Sequence, residues 1–286
     1  MNKLQITPKS VNNLLNNCKK LAELRVSQMR QTITDSAIEI LIGNQAENLK
    51  KLDFTSLTNV SSESLISLLK KATSLQVLYL SFCNNINKKV SKEIVNLKCI
   101  RELYISRQKF LLDECVESIS LNCPNLVSLN ISKCPSIGDK AIASIFNNLP
   151  SMRILFMANV AITEKITDLL KQQNLSLECL ELCGTNTADS FVKFLCNSKK
   201  LRVLNVAMTN ISGKSIPLFN SMKELKYLNL TGTRIEEKLL VELCPPLEEL
   251  DLSTIPTISR HNIQNARQTE EIVNFNTQNN NYLGRH

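Results

Sequence analysis

One six-residue pattern, apolar-x-x-Leu-x-apolar, limits the possible folds of this chain more than any other feature. It begins at Leu21, Leu49, Leu75, Ile100, Leu126, Met152, Leu177, Leu201, Leu225 and Leu247, at intervals of 22 to 28 residues. Its fourth position is leucine every time, from Leu24 through Leu129 to Leu250, and its sixth is always apolar. Composition alone does not place one residue at one offset ten times in ten. Each unit also changes period partway. "LVSLNIS" (126–132) alternates as a short strand does, whereas Ile142, Ile145, Phe146 and Leu149 form one helical stripe. Asp139, Thr34 and Ser212 stand where residues cap helix starts. A strand and then a helix, neither able to bury its apolar face alone, must stack on copies of itself. The expected architecture is an α/β solenoid with a parallel β-sheet on the concave face and helices on the convex face.

With 286 residues, 43% apolar and 21% charged, the composition is that of a globular protein. No apolar run approaches the ~18 residues of a membrane span, and the amino terminus lacks the apolar core of a secretory signal. No membrane association is expected. The net charge of +8 comes from interspersed charges, so nucleic acid is not the expected partner either. The Asn-x-Ser/Thr triplets at Asn59, Asn130, Asn174, Asn210 and Asn229 read as products of an Asn- and Ser-rich composition.

Ten cysteines invite a chemical reading. Cys83 and Cys134 occupy the ninth position of the pattern, just past the strand, whereas Cys18, Cys123 and Cys244 precede the leading leucine by three residues. Both columns are expected to point inward, as small apolar groups. Strands ~4.8 Å apart put Cys83 and Cys134, two units apart, at ~10 Å, beyond the ~7 Å limit for a disulfide. Cys179 and Cys183, at i and i+4 of a strand, are ~13 Å apart. Zinc needs clustered ligands, and the two histidines, His261 and His286, lie at the far end. Phosphate-loop, HExxH and GxSxG motifs are absent. The expectations are reduced thiols, no metal, no cofactor and no catalysis.

The stretch "CPNLVSLNISKCPSIGDKAI" (123–142), with Cys123, Pro124, Leu126, Leu129, Ile131, Cys134, Ile137 and Asp139, resembles the leucine-rich repeat family. More narrowly it is similar to the cysteine-containing subfamily found in F-box receptors of ubiquitin ligases. "LYLSFCNNI" (78–86) and Ile33, Thr34 and Asp35 fit as well; late in the chain Thr185, Thr209 and Thr233 stand in place of the ninth-position cysteine. The resemblance covers roughly residues 6 to 263, and implies a horseshoe solenoid and a substrate-receptor or adaptor role. No F-box is expected in the few residues ahead of the first repeat in this sequence. "ITPKSVNNLLNNC" reads as the helical half of a repeat, either a cap or a sign that the chain belongs to something longer. The expected organisation is a solenoid of about ten repeats over residues 1–263. Residues 264–286 would then be a tail, with a short capping helix near Glu270–Phe275.

What remains is a surface. Position five of successive units reads Arg25, Asp53, Tyr79, Tyr104, Asn130, Phe156, Glu181, Asn205, Asn229 and Asp251, and should face the concave side. Position eight adds Phe82, Arg107 and Lys133. Of thirteen Phe and Tyr residues in the chain, four gather on this face. Tyr79, Phe82, Tyr104, Arg107 and Phe156 are therefore the candidate partner-binding residues, aromatic anchors with a basic neighbour. Position two carries Lys50, Arg101, Arg153, Arg202 and Lys226 along one rim, interrupted by Gln76, Val127, Glu178 and Glu248, and reads as a solvated flank. The expected function is a non-enzymatic module, monomeric and cytoplasmic or nuclear, that binds a protein partner on its concave face. The alternatives are a regulator of an enzyme, similar to ribonuclease inhibitor or GTPase-activating repeat proteins, and a microbial effector that binds a host protein.

Overall fold

The computed structural model describes residues 6–252, apart from 28, 30, 84, 85 and 172–174. The expected capping helix near Glu270–Phe275, the tail 264–286, the solenoid's end at residue 263 and both histidines lie outside the described residues.

Ten three-residue strands form one parallel sheet in chain order: β1 (Glu23–Arg25), β2 (Lys51–Asp53), β3 (Val77–Tyr79), β4 (Glu102–Tyr104), β5 (Ser128–Asn130), β6 (Ile154–Phe156), β7 (Cys179–Glu181), β8 (Val203–Asn205), β9 (Tyr227–Asn229) and β10 (Glu249–Asp251). The pattern's leucine is the middle residue of each strand, and these leucines stand opposite one another in unbroken register from Leu24 to Leu250. The eight inner leucines, Leu52 to Leu228, are at most 1% exposed. Leu24 and Leu250, on the two outermost strands, are half-buried.

The helices are α1 (Pro8–Asn17), α2 (Asp35–Asn44), α3 (Ser62–Lys71), α4 (Lys88–Ile94), α5 (Asp113–Asn122), α6 (Asp139–Asn148), α7 (Ile166–Leu169), α8 (Asp189–Leu195) and α9 (Ile216–Ser221). Thr7 opens α1 with a capping box to Ser10, and Pro8 fills the first turn. The leading "ITPKSVNNLLNNC" is thus the helical half of a repeat. Helices pack 8–10 Å apart and strands ~4.8 Å apart, so the stack bends with the sheet inside. The outer helices are shorter at α4 and again from α7 onward, in the repeats whose interval is 25 residues or less.

The strand hydrogen bonds continue beyond three residues. Position-six N–H groups donate to the next repeat's position-five carbonyl, as Leu80 does to Tyr104 at 2.8 Å. Position-eight N–H groups donate to the next repeat's position-seven carbonyl, as Arg107 does to Ser132 at 2.9 Å. Reaching that second bond turns the backbone left-handed. Ser56, Phe82, Arg107, Lys133, Asn159 and Met208 have φ between 54° and 64°, and Gly184 and Gly232 fill the same slot in two repeats. This turn was legible only in its hints, two glycines and an asparagine at one offset.

The ninth position fills an inner slot as expected, by two routes. The Cys83 thiol donates to the Phe54 carbonyl (3.1 Å) and the Cys134 thiol to the Ile105 carbonyl (3.5 Å), each in the preceding repeat. Gln108 does the same to Leu80 with its amide, at 2.8 Å. Thr185, Thr209 and Thr233 instead donate to Leu182, Val206 and Leu230 of their own repeats. Burial pushes the Cys83, Cys123 and Cys134 thiols up to about 11. All ten cysteines are free thiols.

Two expectations need correction. Cys123 is buried, but Cys18 and Cys244 are exposed, because the outermost described repeats are covered on one side only. Helix capping also works differently. Asp139 is the first residue of α6, behind the N-cap Gly138, and its carboxylate accepts the Thr163 N–H of the next repeat at 2.7 Å. Asp35 likewise accepts from Ser61, Asp113 from Gly138 and Asp189 from Ser212, each in the following repeat. These aspartates stitch successive repeats together. Thr34 makes no side-chain cap bond, whereas Ser212 accepts from Lys214 N–H as expected.

Candidate functional site

Position five forms one continuous column across the sheet, Arg25 beside Asp53 beside Tyr79 and onward to Asp251, each pair in direct register. Alternation along a strand points this column away from the leucine core. Tyr79 and Tyr104 stack with ring centroids 4.5 Å apart and planes 18° apart. Phe156 lies two strands beyond Tyr104, yet their rings approach to 6.5 Å. Asn130 separates them, and it turns back to accept the Ser132 N–H at 3.0 Å, leaving room for the rings to meet. The Tyr104 hydroxyl bonds the Ser128 hydroxyl at 2.9 Å, and the Lys51 ammonium sits 5.4 Å from the Tyr79 ring centre. All three rings are half-buried. Phe82 and Arg107 make a second pair on the position-eight row, with the guanidinium 4.6 Å from the ring centre.

The polar members of the column are structural, which the sequence reading missed. A position-seven N–H lies between the two ladder bonds and needs its own acceptor. Asp53, Asn130, Glu181, Asn205 and Asn229 supply one, accepting from Thr55, Ser132, Cys183, Ala207 and Thr231 at 2.9 to 3.0 Å. Aromatic residues cannot do this, so Ser81 and Ser132 at position seven accept from Ser106 and Ala158 of the next repeat at 3.2 Å. The signal was present in the sequence, as short polar acceptors recurring at position five.

Glu181 is 4% exposed, and burial pushes its carboxyl up to about 7 against the Cys183 N–H and the Asn205 amide, which favour the charged form. Asp251, the last member of the column, accepts from Asn229 and Thr231. The position-two rim behaves as a solvated flank, Arg153 gripping Glu178 at 2.8 and 2.7 Å and Lys226 meeting Glu248 at 2.9 Å. Among the described residues no three His, Cys, Asp or Glu side chains are grouped to hold a metal ion. None of the described helices is long and apolar enough to cross a membrane.

A family model described as Leucine Rich repeat matches residues 122–146. Over 181 residues, 60% of this chain, the sequence is 29% identical to "F-box/LRR-repeat protein 4" of Bos taurus. The chain spans about a quarter (25%) of that relative's length. Among solved structures, one titled "Crystal structure of Rad7 and Elc1 complex in yeast" is similar over 91% of this chain and 80% of the other, at TM-score 0.46 and 17% identity. With ten strand-and-helix units stacked in register along one parallel sheet, and the repeat model matching the fifth unit, the chain folds as a leucine-rich repeat solenoid.

Proposed function

We propose that this repeat module is a non-enzymatic recognition subunit that binds a protein partner on its inner sheet, through Tyr79, Tyr104 and Phe156 with Phe82 and Arg107 beside them. The observation that carries the reading is the aromatic stack itself. On a face whose other position-five residues mostly serve the backbone, three half-buried rings packed against one another make a rigid apolar surface. Rigid aromatics flanked by arginine are the composition of interface hot spots. The similarity to an F-box/LRR-repeat protein supports placing the module as a substrate receptor or adaptor of a ubiquitin ligase. Ten free thiols accord with a reducing cytosolic or nuclear setting.

The test is affinity capture with mass spectrometry, comparing wild type with Tyr79→Ala and Tyr104→Ala. Partners that bind this face are expected to be depleted about thirtyfold, as for a loss of ~2 kcal/mol, while the melting temperature holds. Ligase subunits among the depleted proteins support the receptor role. An unchanged partner set with both variants overturns the site.

A further inference from the structure

Two rows of side chains border the position-seven floor on this face. The first is the aromatic row, Tyr79, Tyr104 and Phe156. The second is the left-handed row at position eight, Phe82, Arg107, Lys133 and Asn159. Between them the floor is small, Ser81, Ser106, Ser132 and Ala158, and three of the four are at most 8% exposed although none belongs to the leucine core. Its polar groups are already used, since Ser81 and Ser132 accept from the floor's own N–H groups. The rows are three residues apart, about 10 Å along the strands, which is the width one extended chain needs.

The second row carries the charge. Arg107 and Lys133 have no acidic partner within ion-pair distance among the described residues, unlike Arg153, Arg202 and Lys226 on the rim. Their backbones are left-handed, at φ 59° and 58°, a conformation costing a residue other than glycine ~1–2 kcal/mol. Gly184 and Gly232 show that the fold accepts glycine there. The ladder bond imposes that turn at position eight whatever the residue, so charge is what sets these two apart. Arg107 rests on the Phe82 ring, and no described carboxylate neutralises it or Lys133, which leaves both charges open to an external anion. The acids of this region lie elsewhere. Asp53 is engaged by Thr55, and Glu102 at position three is on the far side of the aromatic row.

We infer that the inner face takes a short extended peptide whose side chains alternate between apolar and acidic, laid across β3 to β6 between the two rows. This rests on the proposed recognition role and names its ligand. Side chains of an extended chain point alternately to opposite sides, so apolar ones meet Tyr79, Tyr104 and Phe156 while carboxylates meet Arg107 and Lys133. The rows span three strand spacings, ~14 Å, or about four extended residues.

The experiment uses fluorescent peptides of about eight residues, one alternating Glu and Leu and one alternating Lys and Leu, with the full chain and anisotropy as readout. The Glu-Leu peptide is expected to bind at least ~10-fold tighter and to weaken with salt. Arg107→Glu combined with Lys133→Glu should cut that affinity ~10-fold or more without lowering the melting temperature. Tyr104→Ala should weaken Glu-Leu binding too. Equal binding of both peptides, unchanged affinity after charge reversal, or no binding of either by folded protein overturns the inference. If it fails while Tyr104→Ala still depletes captured proteins, the recognition role stands and only the ligand is wrong. If Tyr104→Ala changes neither measurement, both fail.

Discussion

The Glu181 carboxylate accepts a hydrogen bond from the Asn205 amide at 2.8 Å across neighbouring strands, and burial pushes that carboxyl up to about 7. An acid whose folded pKa exceeds its unfolded value binds a proton more readily when folded. Its stabilising contribution is therefore complete below pH ~4.5 and is lost as pH rises to about 7. The loss is at most of the order of 3 kcal/mol, with no further change above that range. Denaturant titrations of wild type and Glu181→Gln across this window should show the slope in wild type only. Equal slopes would mean that Glu181 is charged throughout.

Asn229 is 9% exposed, accepts the Thr231 N–H and donates to Asp251. Read as an ordinary surface residue, its loss would do little. In the structure, Asn229→Ala strands a backbone N–H and should cost ~1–3 kcal/mol in chemical denaturation. An unchanged midpoint would show that water replaces the side chain.

Leu129 and Leu155 are the buried middle residues of β5 and β6. Each contacts mainly its own and adjacent repeats, so a defect there weakens both flanks of the stack. Leu129→Ala or Leu155→Ala should each cost ~2–5 kcal/mol. A melting temperature that does not fall refutes the register.

Lys133 holds φ 58° with its side chain exposed. Lys133→Gly should stabilise the protein by ~1 kcal/mol, because glycine adopts this conformation without the steric cost. A loss of stability in denaturant titration would show that the lysine side chain contributes packing the strain argument leaves out.

Thiol labelling should separate the cysteines. Cys18, Cys99 and Cys244 are exposed and should react first. Cys83 and Cys134, pushed up to about 11, present roughly one thiolate in ten thousand at neutral pH, and should react only as the chain unfolds. Fast modification of Cys134 would mean that the ninth-position slot opens in the native state.

The sequence by itself determined the number of strands, their register and the face each strand residue takes, though not the inward column expected of Cys18 and Cys244. A leucine at one offset and a period of two are properties of each unit, and stacking identical units adds no new information. That sufficed to align Tyr79 with Tyr104 and to put Phe82, Arg107 and Phe156 on the inner side. Tertiary structure alone decided everything that depends on what the neighbouring repeat presents ~4.8 Å away. Asn130 turns back to Ser132, so Phe156 can reach Tyr104 across it. Asp139 serves Thr163 of the next repeat and not its own helix. Arg107 turns left-handed because its N–H must meet the Ser132 carbonyl. Glu181 resembles any solvent-facing strand acid until Cys183 and Asn205 close around it, since burial is a property of the stack and of no single repeat.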